Sequence, residues 1–183
     1  SRWETNALKH RDTQHPVWDV YDELRTARLN VKYHGAQLQW LQRSNLAMEI
    51  LIALTASTSA VAAWRLWNVA GWREAWQALA AIAGVLAILK PILRLPEAMR
   101  KREELLAGYR MLDHDLHTLC IQIRQVGTFA QSQRDKFGAA LERKRALVAQ
   151  DRETQPWRWL RSRCQQEVVQ ELPHEQFFIP EGE

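Results

Sequence analysis

Apolar residues along this chain fall into three patterns. From Pro16, a residue suited to a helix start, Val17, Val20, Leu24, Ala27, Val31, His34, Leu38 and Leu41 recur at alternating steps of three and four. That spacing predicts an amphipathic helix with a heptad stripe. In the middle, residues 50–64 and 75–89 carry no charge at all. Each run is shorter than the roughly 20 residues that span a bilayer. Extended to 46–66 and 72–93, with Glu49, Arg73, Glu74 and Lys90 at the headgroups, they reach that length and predict a two-helix membrane hairpin. Downstream, Leu105, Tyr109, Leu112, Leu116, Leu119, Ile123, Val126 and Ala130 repeat the heptad alternation. It weakens through Gln133 and returns at Phe137 and Ala140, with Gly127 and Gly138 as places to bend or fold back.

The expected fold class is therefore all-α: a two-transmembrane helical hairpin flanked by long cytosolic coiled-coil-like helices. Its parts are a cytosolic amphipathic helix over 1–45, the hairpin over 46–93, a long cytosolic helix over 94–150, and a tail or short helix over 151–183. The two flanking stripes fit an antiparallel pair within one chain. The second, Leu105, Tyr109, Leu112, Leu116, Leu119, Ile123 and Val126, is also long enough to recruit other copies, so a homo-oligomer is expected.

Composition agrees with helices. Seven Gly and six Pro in 183 residues are too few for a sandwich or barrel. Two cysteines, Cys120 and Cys164, exclude a disulfide framework. A formal charge of +4 is too mild to indicate nucleic acid, and no nucleic-acid partner is expected. Basic residues favour the flanks over the connecting loop: Arg28, Lys32 and Arg43 before the hairpin, Lys90, Arg94, Arg100, Lys101 and Arg102 after it. The positive-inside rule then places both termini in the cytoplasm of an inner-membrane protein in contact with lipid. Trp64, Trp67, Trp72 and Trp76 cluster where an aromatic belt would lie.

Within the first run, Glu49, Ala53, Ala56, Ser59, Ala60 and Ala63 share a helical face. Such a face serves either close helix packing or the lining of an aqueous path with Glu49 at its mouth. In the second run Ala80, Ala83, Gly84 and Ala87 form a small stripe opposite a bulky one. Catalytic signatures are absent: no Gly-rich phosphate loop, nucleophile elbow or His-Glu-x-x-His occurs. Asp113 and His117 share a helical face, but two ligands do not complete a metal site and a solvated charged face explains them better. His34 reads as a polar core position that fixes register, and Cys120 as a packing residue. Neither an enzyme, a metal nor a cofactor is expected. In the tail, Trp157, Leu160 and Val168 are expected to cover the bundle, while Phe177, Phe178 and Ile179 could meet a neighbouring subunit.

This layout resembles the SLATT family, two-transmembrane effectors associated with nucleotidyltransferases and nucleotide-binding proteins in bacterial conflict systems. The residues that carry the resemblance are Val17-Trp18-Asp19-Val20-Tyr21-Asp22-Glu23-Leu24-Arg25, then Lys90-Pro91-Ile92-Leu93-Arg94-Leu95, then Tyr109-Arg110-Met111-Leu112. The resemblance implies a membrane effector of antiphage defence. A nucleotide-signalling enzyme, sensor or protease would trigger it to assemble and form a pore or disrupt the inner membrane. The competing expectation is a non-conducting, membrane-anchored coiled-coil scaffold that recruits a cytosolic partner.

Overall fold

The computed structural model describes residues 15–57, 77–78, 81–88, 95–151 and 156–180. Among them the regular structure is helical throughout, as expected. Helix α1 runs Val17–Ser57, α2 Leu95–Val126, α3 Gln131–Gln150 and α4 Arg158–Glu171, followed by a 3-10 turn at His174–Gln176. Residues 81–88 are also helical. The chain divides into two compact units: Ser1–Gly35 together with Glu104–Glu183, and Ala36–Glu103.

In the first unit, α1 starts as its sequence dictates. Pro16 precedes the first turn, the Val17 N–H donates to His15 Nδ1 at 3.2 Å, and Asp19 places a carboxylate at the positive end of the helix dipole. The α1 stripe from Val17 to Ala27 packs against Leu105, Tyr109, Leu112, Leu116, Leu119 and Ile123 of α2 in one core. The two helices are antiparallel: Arg28 meets Asp113 at 2.7 Å, while His34, further along α1, stacks on Tyr109, earlier in α2.

The downstream pattern does not form one helix to residue 150. Helix α2 stops at Val126, and Gly127 takes a left-handed conformation, φ 76°, with its N–H on Ile123 O at 2.9 Å. A side chain would be strained there, so glycine ends the helix and lets the chain reverse. Gly138, by contrast, lies inside α3. The weak point of the heptad at Gln133 has a local cause. Its side chain reaches back to accept the Ala130 N–H at 2.7 Å, satisfying a donor at the start of α3. Helix α3 then returns along α2, with Lys136 on Gln122 at 2.9 Å near one end and Arg143 paired with Asp115 near the other. Further along, Leu147 Cδ2 occupies the space a side chain at Gly108 would need, so this glycine permits close approach of the helices.

Helix α4 buries Leu160 and Val168, as expected, together with Cys164; Trp157 is half-buried and Trp159 stays 65% exposed. It runs antiparallel to α1, from Trp157, whose N–H donates to the Tyr33 hydroxyl at 2.9 Å, to Leu172 beside Arg25. Phe177 and Phe178 pack against this chain's own core.

The second unit contains residues 36–57 of α1, the helical residues 81–88 and the start of α2 through Glu103. Leu38, Ala83 and Leu95 are buried there, whereas Trp40, Leu46, Ile50, Ile82, Val85 and Ile88 are each half exposed or more.

Among the described residues, no helix is long and apolar enough to cross a membrane. This overturns the expected placement as a multi-pass inner-membrane protein. The physical reason is charge. Helix α1, at 41 residues, is long enough, but charged residues recur along it as far as Arg43 and Glu49 follows in its last three turns. The expected spans 46–66 and 72–93 fall partly outside the described residues, as do Trp64, Trp67, Trp72 and Trp76.

Candidate functional site

Of the small-residue faces, Glu49, Ala53, Gly84 and Ala87 are exposed and Ala83 is buried. Glu49 accepts from Asn45 Nδ2 at 3.1 Å, one turn back on α1. Ala56 lies in α1, and Ser59, Ala60, Ala63 and Ala80 lie outside the described residues. The stripe expected to recruit other copies is used within the chain. Leu105, Tyr109, Leu112, Leu116, Leu119 and Ile123 are at most 7% exposed, and Val126 alone, at 61%, faces outward.

Asp113 is engaged with Arg28, and His117 is exposed. Among the described residues no group of three His, Cys, Asp or Glu side chains is placed to hold a metal ion. A groove of about 360 Å³ runs between α2 and α3 beside His114, Gln122 and Lys136, with the Asp115–Arg143 ion pair in its wall.

His34 is the most deeply buried of the described polar residues. It stacks on Tyr109 with ring centroids 5.2 Å apart, meets the Tyr33 ring edge-on, and has Nε2 3.6 Å from an Asp151 carboxylate oxygen. Burial, reinforced by the Asp151 charge, pushes the Tyr109 phenol up. A second polar group joins α1 to α4. Lys32 Nζ lies 2.6 Å from Glu171 and 3.4 Å from Glu167. The hydrogen bond to Glu171 is the main reason that the Lys32 ammonium sits above the ordinary lysine range, against the opposing effect of burial. Lys32 first, then Arg163, holds the Glu167 carboxyl below its usual range.

Several long-range contacts gather where the tail crosses α1 and α2. Phe177 stacks on Tyr21 at 4.1 Å with 19° between the rings, and the Arg25 guanidinium lies over the Phe177 ring, 5.0 Å from its centroid. Arg25 Nε donates to Leu172 O at 3.0 Å, the Tyr21 hydroxyl to Phe178 O at 2.7 Å, and Arg124 to Gln176 O at 2.8 Å. Burial pushes the Tyr21 phenol up and keeps it a donor. Sequence reasoning missed this clamp because its donors address backbone carbonyls, which leave no trace in residue types. The Phe177-Phe178 pair stands out in the sequence, but the neighbouring subunit expected for it is replaced here by the chain's own α1.

Neither cysteine is arranged for redox chemistry. Burial pushes the Cys120 thiol up to about 12 and raises Cys164 as well. At pH 8 the native Cys120 should therefore react with a thiol-specific disulfide reagent at least about tenfold more slowly than in urea. A native rate equal to the denatured one would contradict the burial. Because the folded thiol ionises later than the unfolded one, its contribution is constant below about pH 9 and is lost as pH rises toward 12.

Comparison of the chain with protein-family profiles, curated proteins and solved structures found no match.

Proposed function

We propose that this chain is a non-enzymatic helical assembly module that works by self-association. The supporting observation is the contrast between its two units. In the bundle the heptad stripes cover each other, leaving little apolar surface to share along them. In Ala36–Glu103, Trp40, Leu46, Ile50, Ile82, Val85 and Ile88 are at least half exposed, a denser set for its described length than Met111, Val126, Val148, Trp159 and Val169 of the larger unit, and such a concentration marks an interaction surface. In the setting that the SLATT resemblance implies, assembly through this unit is the step that a signalling enzyme, sensor or protease would control in a defence effector.

The test is the mass of the full chain by light scattering across the micromolar range. The wild type should form a discrete oligomer, and Ile50→Glu with Ile88→Glu should shift it at least tenfold toward monomer without altering the bundle's helical signal. A wild type that remains monomeric throughout would defeat self-association. It would leave the unit as a docking surface for a different protein, the scaffold alternative.

A further inference from the structure

We propose that the outward face of α4 is a docking surface for an anionic lipid bilayer, on which it lies without crossing. Leu160, Cys164 and Val168 are buried and fix the inner side of this helix. At 3.6 residues per turn, Trp159, Ser162, Gln166 and Val169 then point away from the bundle, and all four are exposed. Trp159 and Val169 put large apolar groups in solvent at the two ends of that face, 65% and 51% exposed. The Trp159 ring stacks on half-buried Trp157, with centroids 6.4 Å apart and 20° between the planes. It is thereby held out from the surface by a partner anchored beneath it.

The charge around that tryptophan is of one sign. Arg158, Arg161 and Arg163 are all exposed, and the first turn of α4 holds no acidic residue. Arg158 opens the helix, where the positive end of the dipole disfavours a cation, so the stability of α4 does not account for it. Among the described residues no carboxylate pairs with Arg158 or Arg161. Arg163 reaches Glu167 at 3.2 Å and is still 71% exposed. The two acidic residues of α4, Glu167 and Glu171, are drawn to the α1 side by Lys32. What the outer face offers a partner is therefore cationic and partly apolar. A bilayer bearing anionic headgroups complements both properties. Tryptophan settles at the membrane–water interface, and the long arginine stems let the guanidinium groups reach lipid phosphates while the ring beds between headgroups. A single-stranded nucleic acid would instead be tracked by a groove with a series of stacking rings. Helix α4 presents a convex side with one outward ring.

The test is co-sedimentation of the full chain with vesicles of phosphatidylcholine alone, or with about one-third phosphatidylglycerol. The Ile50→Glu with Ile88→Glu form is run beside the wild type to weaken the other exposed apolar surface. Because the α4 face does not depend on self-association, a wild type that stays monomeric leaves these expectations unchanged. Both forms should bind the anionic vesicles at least about tenfold more tightly than the neutral ones, and high salt should remove the preference. Arg158→Gln with Arg161→Gln should weaken anionic binding by about tenfold or more, at roughly fivefold for each cation near the surface. Trp159→Ala should weaken it about fivefold. Since these side chains are exposed, the helical signal should not change in either variant. The proposal is overturned if the wild type binds both vesicles equally or neither, or if the arginine variant binds as the wild type does. It is also overturned if the Ile50→Glu with Ile88→Glu form alone loses binding, or if a short single-stranded oligonucleotide displaces the vesicles through the same arginines.

Discussion

Leu116→Ala is expected to lower the unfolding free energy by about 3 kcal/mol, read as a fall in the urea midpoint at unchanged slope. Leu116 is 1% exposed and belongs to the core shared by α1, α2 and α3, so truncation removes burial and leaves a cavity that three helices must close around. The informative control is Val126→Ala, on the same heptad stripe. Val126 is 61% exposed at the last position of α2, and its replacement should change stability by no more than about 0.5 kcal/mol. Equal losses at the two positions would mean that the stripe is covered along its whole length, as a multi-chain coiled coil requires, and not by this chain alone.

His34→Ala should cost about 2–3 kcal/mol in the same measurement, an unusual penalty for a polar residue. The imidazole is 2% exposed, lies flat on Tyr109, and faces the Asp151 carboxylate, so alanine removes a ring stack, a polar contact and volume at once. His34→Leu restores the volume without the polar contact and should recover part of the loss. A polar residue that merely fixed register would behave oppositely, with leucine more stable than the wild type.

Both predictions concern positions that periodicity identified. The α1 stripe from Val17 to Leu41 is buried or half-buried at every position, and His34 sits inside it as read. Periodicity states that a face is covered; it does not state by what. Leu112 and Leu116 would look the same whether their cover were α1 and α3 or a second copy, and only the chain reversal at Gly127 settles the matter. That reversal was legible as a glycine, but Gly138 looked equivalent, and what separates them is the φ of 76° at Gly127, a backbone property. Charge-free composition says less than periodicity. The expected hairpin extends two short runs past charged residues, and among the described residues no helix is long and apolar enough to cross a membrane. An apolar helix face for protein and one for lipid use the same residues, and length is what separates them.

The route of the chain through the first unit carries a consequence for how it is made. Glu23 finds Lys144 121 positions later, and Tyr21 finds Phe178 after 157. Residues 36–103, in contrast, form an uninterrupted stretch inserted between the two portions of that unit. During synthesis the inserted stretch emerges whole while the leading half of α1 still waits, its greasy side bare, for α4 and the tail. Closure of the bundle is thus deferred until those elements have been made, and a slow, chaperone-sensitive folding step is built into their order along the chain.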